Sequence, residues 1–484
     1  MRTITRTTRL ARSGALAELP GAAVAWGGGA ATIALTYLVA QQGLSLQTSA
    51  IFGLAVFGGV MAGFVYVPWL IVPAVIPLFA VLPMLGLFVN PLLGGVKDLV
   101  SLAAIGAAVV LVVQRRAARR PMRVDTATAV LFGLIVTLYA ANIGGNLTGE
   151  SGYGGPWYQG IRLFCQPLSL LLVGMVLREP RRTFRAASVS LVVTGVVVAV
   201  VGLAQQIVGV DTLLALGYEY GEQVRQIDRH VRSFGTLSEP FAYATFLLVA
   251  LSILLVWARR GSAVYLLAPL LAAGLAASYV RTAAVIGAAL LGLALARRGQ
   301  KLLATLFLAG AMVAGTAALL AVAGAAQTRT VAVSPTTYLT LNGRTKLWQS
   351  QLGDSPETWI FGRGVGATGT AAKRAEQSLV GKKKLNSREA SSVVDSGYLA
   401  VVADIGAVGL ALLLALFGRL LARGSALARS GDARGWAAIG ILIVLMLDAL
   451  SRESLTGFPS AYLGMLLVGL AVSQIAEESS PATR

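Results

Sequence analysis

The chain has 484 residues, of which 56% are hydrophobic and 13% charged, with a mean hydropathy of +0.74 and a formal net charge of +19. That apolar content far exceeds what a soluble core needs and marks an integral membrane protein. The single cysteine, Cys165, rules out an intramolecular disulfide, the single histidine, His230, rules out a histidine-cluster metal site, and the basic charge falls mostly at helix ends rather than in a nucleic-acid-binding patch.

Residues 1–21 are basic through Arg2, Arg6, Arg9 and Arg12, and lack the compact apolar core and small-residue cleavage site of a signal peptide, so they are expected to stay on the cytoplasmic side. Apolar runs near the ~20 residues that cross a bilayer then recur, about fourteen in all. They fall at 22–41, 49–65, 67–88, 96–114, 125–142, 161–178, 186–210, 238–257, 263–279, 281–297, 302–324, 393–418, 435–451 and 458–474. Basic clusters sit on alternate loops: QRRAARRPMR (114–123), REPRRTFR (178–185), ARRG (258–261), ARRGQK (296–301) and GRLLARGSALARSGDARG (418–435). The positive-inside rule places these loops in the cytoplasm with both termini. The expected fold is an all-α polytopic bundle: helices 1–11 over 22–324, one large outer loop over 325–392, helices 12–14 over 393–475 and a cytoplasmic tail over 476–484.

Three outer loops are long. The first, around GGNLTGESGYGGPWYQG (144–160), reads as an interfacial loop anchored by Trp157 and Tyr158. The second covers 211–237. The third, 325–392, carries ten Lys and Arg against four acids, a balance of +6 that suits an anionic partner outside. Within it, TTYLTLNGRTKLWQSQL (336–352) can form a short helix with Arg344 and Trp348 one turn apart.

Four positions on this outer side are hard to read as lipid-facing structure: Arg232 before the eighth span, Arg281 in AASYVRTAAV (276–285), Arg344 in the large loop and Asp395 at the start of the twelfth span. Arg281 lies in a 35-residue apolar stretch that would reach ~52 Å as one helix, so the chain is expected to turn there. Each position has a plain structural alternative: arginines snorkel to headgroups, and Asp395 can cap a helix. Asp404 faces away from Asp395 and is expected to pair within the bundle or reach a polar cavity; Asp448 and Arg452, one turn apart, are placed to neutralise each other. As a group, however, three arginines and a carboxylate at one membrane face fit the breaking of a sugar–phosphate bond in a lipid pyrophosphate. Arginine forks hold the leaving charge, and a carboxylate takes the acceptor's proton.

Three segments, RSFGTLSEPFAYATFL (232–247), SYVRTAAVIGAALL (278–291) and NGRTKLW with FGRGVGATG (342–348, 361–369), followed by DSGYLAVVADIGAVGL (395–410), resemble motifs of the O-antigen ligase and polymerase family of bacterial membrane glycosyltransferases. The likeness covers roughly residues 195–475. It implies a GT-C-like helical enzyme of the cytoplasmic (inner) membrane, active on its outer face. The implied reaction is an inverting, metal-independent transfer from an undecaprenyl-pyrophosphate-linked oligosaccharide to a glycan or lipid acceptor, with no cofactor. A chain-length regulator is a partner of the kind such an enzyme meets, and nucleic acid is not. By the resemblance, Asp395, Arg232 and Arg344 are catalytic, and Arg281, Arg229, Tyr398 and Trp348 bind substrate. His230 is a rival base. An acid at 395 where ligases carry histidine favours polymerisation of repeats over transfer to lipid A core; a ligase with another acceptor, or a transporter of lipid-linked sugars, are the alternatives. The glycines of FGRGVGATG follow no strand, which argues against a nucleotide loop.

Overall fold

A computed structural model describes residues 46–119, 124–143, 157–220, 223–227, 230–257, 264–300, 356–366, 369–371 and 396–473. The expected spans 22–41 and 302–324 lie outside these residues. The described chain is an assembly of helices: α1 Leu46–Tyr66, α2 Pro68–Phe88, α3 Val96–Ala117, α4 Thr126–Ala141, α5 Trp157–Val176 and α6 Pro180–Ala215. There follow the short strands β1 Gln226–Ile227 and β2 His230–Val231, then α7 Pro240–Trp257, α8 Val264–Ala277, α9 Arg281–Arg297, α10 Pro356–Phe361, α11 Gly397–Arg429, α12 Ala433–Asp448 and α13 Ser460–Val472. Five stretches are long and apolar enough to cross a membrane: Pro68–Phe88, Leu93–Ala117, Trp157–Val176, Pro180–Ala215 and Gly397–Arg429. Shorter apolar helices, among them Thr126–Ala141, Pro240–Leu255 and Ser460–Val472, pack with them.

The centre is α13. All thirteen of its residues are buried, as suits a helix apolar on every side, and it packs against α5, α12, α6, α7 and α11. Its contact with α5 is backbone on backbone. A methyl group at Gly174 would stand 2.3 Å from Leu466 O, and one at Gly469 would stand 2.1 Å from Leu171 O, so only glycine admits this approach. Gly469→Val is therefore expected to destabilise the folded bundle by about 1–3 kcal/mol or more, the overpacking range. Thermal unfolding in detergent checks it, with Gly53→Ala, where nothing lies within 4 Å, as the unaffected control.

Polar side chains repair the breaks that special residues make. Pro77 has no N–H to give Pro73 O, and Ser190 Oγ of α6 donates to that carbonyl instead, at 2.7 Å. α4 begins at Asp125, whose carboxylate accepts from Thr128 N and Oγ1 at 3.2 and 2.7 Å.

Basic residues collect at one end of the helices. There the Arg182 guanidinium lies 3.7 Å from the Trp69 ring centre, Arg178 donates to Gln114 and Arg419 donates to both oxygens of Asp125 at 2.8 Å. The Arg419 hydrogen bond holds the Asp125 carboxyl well below the usual carboxylate range. Two of the expected loops are helical here. REPRRTFR runs into the first turns of α6, and α11 continues past residue 418 to Arg429, because arginine is a good helix former and nothing at these positions stops the turn.

Candidate functional site

At the opposite end the chain between α6 and α7 is clamped residue by residue. β1 and β2 pair antiparallel, Gln226 facing Val231 and Ile227 facing His230, and Arg232 N extends the pairing to Arg225 O at 2.8 Å. Gln205 of α6 accepts from Phe234 N and Gly235 N and donates to Gly235 O; Gln206 donates to Val231 O and Ser233 Oγ, and Ser233 Oγ donates to Gly202 O. Gly235 sits at φ +58°, and Thr236 Oγ1 reaches Ala80 O of α2. The small hydroxyls and the glycine of RSFGT thus serve to fix the backbone that carries Arg232.

The Arg232 side chain then has little freedom. Its Nε donates to Ser278 O at 3.2 Å, and its guanidinium lies 4.7 Å from the centre of the Phe241 ring. Two more guanidinium groups approach the same ring, Arg225 at 5.9 Å and Arg452 at 5.6 Å. The ring face attracts each cation, but the cations repel one another. Arg452 is neutralised by Asp448 at 2.8 Å and held by Thr245, whose hydroxyl accepts from Arg452 and donates to Asp448. Arg225 faces Glu239 at 3.7 Å. Arg232 has no carboxylate of its own among the described residues. Burial first, then the Arg225 and Arg281 charges, lower its pKa against the opposing pull of Glu239. An arginine stays charged through such a shift, so the arrangement leaves a cation that an anion would relieve.

The chain turns before Arg281 as expected: α8 ends at Ala277, Tyr279 takes φ +53°, and α9 starts at Arg281. Arg281 is exposed at the amino end of α9, where the helix dipole disfavours a cation and favours an anion. His230 stacks on Tyr279, ring centres 5.9 Å apart. Asp395, Arg344, Trp348 and Arg229 lie outside the described residues. The residue after Asp395 is placed: Ser396 is the N-cap of α11, with no capping bond from its own side chain, and its Oγ donates to Ala449 O at 3.2 Å. Gly397 N is held by Ala449 O and Arg452 O at 2.8 Å each. The start of α11 is therefore docked on the segment that carries Arg452 and, through it, beside Phe241 and Arg232. Tyr398 is half-buried, and its hydroxyl donates to Met446 O at 2.9 Å, tying α11 to α12. Arg225, Phe241 and Arg452 complete the group; no sequence spacing joins the three, because Phe241 and Arg452 meet only through the packing of α7 against α12.

A second polar group lies deeper. α11 is broken at Ile405 and Gly406, and the segment from α10 to Gly366 lies in the break. Asp404 is buried; its carboxylate accepts from Gly366 N at 2.9 Å, and its carbonyl accepts from Asn142 Nδ2 at 2.6 Å. The expected pairing of Asp404 within the bundle is thus with a backbone amide. Arg363 N donates to Ala403 O, Val365 N to Asn142 O, and Thr370 N to the Glu453 carboxylate. The glycines of this segment are spent on close packing. A methyl at Gly362 would stand 2.6 Å from the Asp404 backbone, and Gly406, at φ +72°, would meet Ile360 O at 1.9 Å.

Neither a protein-family model nor a curated protein matches this sequence.

Proposed function

We propose that the chain is a multi-pass glycosyltransferase of the bacterial cytoplasmic membrane, its shorter helices completing about fourteen crossings. In this reading it polymerises oligosaccharide repeats carried on a polyprenyl pyrophosphate, working at the outer face. The observation that supports it most is the arginine set around Phe241: three guanidinium groups, two of them matched by carboxylates, with Arg232 and the nearby Arg281 left to receive an anion. The docking of Ser396 and Gly397 against Ala449 and Arg452 brings the start of α11 to the same group.

In the proposed reaction the acceptor hydroxyl oxygen attacks the anomeric carbon of the lipid-linked sugar. The bond from that carbon to the phosphate oxygen breaks, the configuration inverts, and the hydroxyl proton passes to the Asp395 carboxylate. Arg232, with Arg344 and Arg281, stabilises the departing pyrophosphate, and Arg229, Trp348 and Tyr398 contact the substrate. Arg452 and Arg225 are positioning residues, holding the Phe241 face on which the Arg232 fork lies. A ligase that uses the same chemistry on a different acceptor is the alternative within this class.

Purified protein in proteoliposomes with a polyprenyl-pyrophosphate oligosaccharide is expected to lengthen the glycan and release polyprenyl pyrophosphate. Passage of the intact lipid between leaflets, with no new glycosidic bond, would overturn the reading in favour of a transporter. Phe241→Leu is expected to lower turnover about 2- to 30-fold, the span of a cation–π contact of ~0.5–2 kcal/mol, while Phe241→Tyr retains it; steady-state kinetics of the two variants measure the difference.

A further inference from the structure

Residues 325–392 read as one large outer loop, yet residues 356–366 pack against the side of α11. Arg419, paired with Asp125, marks the basic end of that helix. Gly406, where Ile360 and Phe361 dock, stands thirteen residues away along the unbroken part of the helix, about 20 Å, and a bilayer's hydrocarbon is ~30 Å thick. The docked segment is thus about 10 Å inside the opposite boundary by the same count. A second measure agrees in direction. Gly160, against which Gly366 packs, lies three residues into α5, below Trp157 and Tyr158 at its exposed end.

At such a depth irregular backbone survives only if the protein satisfies its polar groups. That is what Asn142 and Asp404 do: Asn142 donates to Phe361 O as well as to Asp404 O, the Asp404 carboxylate accepts from Gly366 N, and just beyond the segment Glu453 accepts from Thr370 N. Meanwhile Trp359, Ile360 and Phe361 turn outward, 47%, 45% and 39% exposed, at the level of Gly406 of α11.

We propose that residues 356–366 form a re-entrant element of the membrane, pinned by Asp404 and Asn142, whose Trp359, Ile360 and Phe361 face lies against the hydrocarbon chains of the bilayer. The occupant is lipid because the exposed face is apolar and lies within the hydrocarbon span. The proposal stands whether or not the chain is a glycosyltransferase, and it gives Asp404 a task distinct from catalysis.

Single cysteines test it in a Cys165→Ser background, which removes the one native thiol. Ile360→Cys and Phe361→Cys are compared with Val408→Cys on the lipid side of α11 and Tyr220→Cys on the exposed link after α6. Both reagents are applied to folded protein in proteoliposomes. A membrane-impermeant maleimide is expected to label positions 360 and 361 at least ~10-fold more slowly than position 220, and a lipid-soluble maleimide to label them as it labels 408. Labelling at 360 and 361 by the impermeant reagent at the rate seen for 220 would overturn the proposal. Adding Asn142→Ala or Asp404→Ala to the Ile360→Cys protein is expected to raise impermeant labelling; where Asp404→Ala yields no folded protein, the Asn142→Ala pair decides. No rise in a folded variant would show that these side chains do not pin the segment.

Discussion

Arg232→Lys is expected to cut glycosyl transfer by about 10²–10³-fold, the range for losing a donor aimed at developing charge, with expression and thermal stability unchanged. The substitution keeps the formal charge, so a role in general electrostatics would survive it. It removes the planar fork that grips two phosphate oxygens, the flat face that lies 4.7 Å from the Phe241 ring centre and the Nε bond to Ser278 O. The Arg232 backbone is held independently by Arg225 O and by the Gln206 and Ser233 contacts on either side, so the loop has no reason to move. Steady-state kinetics with a polyprenyl-pyrophosphate donor check this. A variant at the wild-type rate would remove Arg232 from the chemistry.

Asp395→Asn is expected to lower transfer by about 10²–10⁴-fold, the contribution of a general base. Asparagine is nearly isosteric with aspartate and caps helices as well as it does. The competing role of Asp395, that of a helix cap, therefore predicts an active Asn variant and an unstable Ala variant, whereas a base predicts that both are inactive and both folded. The structure bears on this choice: α11 takes Ser396 as its N-cap, and Gly397 N is already held by Ala449 O and Arg452 O. Activity and thermal unfolding measured together on the Asn and Ala variants separate the two roles. His230, stacked on Tyr279, is the remaining candidate, and His230→Gln is the matching control.

The helices were legible in the sequence because a membrane segment announces itself by composition, and the ends of α2, α4 and α9 fall within a residue or so of the expected spans. Basic residues misled at two ends, since arginine signals the cytoplasmic side without stopping a helix, and α6 and α11 run through the arginines. The turn before Arg281 could be argued from length alone. The i,i+4 spacing of Asp448 and Arg452 foretold their ion pair, but not that Arg452 would reach Phe241, which depends on how α7 meets α12. The β1–β2 pairing left no alternating apolar pattern to find, being two residues long on each side. Least legible was the descent of residues 356–366 along α11. A glycine-rich segment inside a charged loop reads as aqueous, and it is the distant Asn142 and Asp404 that make its burial tolerable.

The central claim is most directly tested by the length distribution of surface and lipid-linked glycan in cells lacking this protein, set beside cells that carry only Asp395→Asn. Accumulation of single repeat units on the lipid carrier in both strains is the result predicted for a polymerase whose base is Asp395. Full-length chains retained on the carrier would identify a ligase instead, and unchanged glycan in both strains would contradict the assignment to glycosyl transfer.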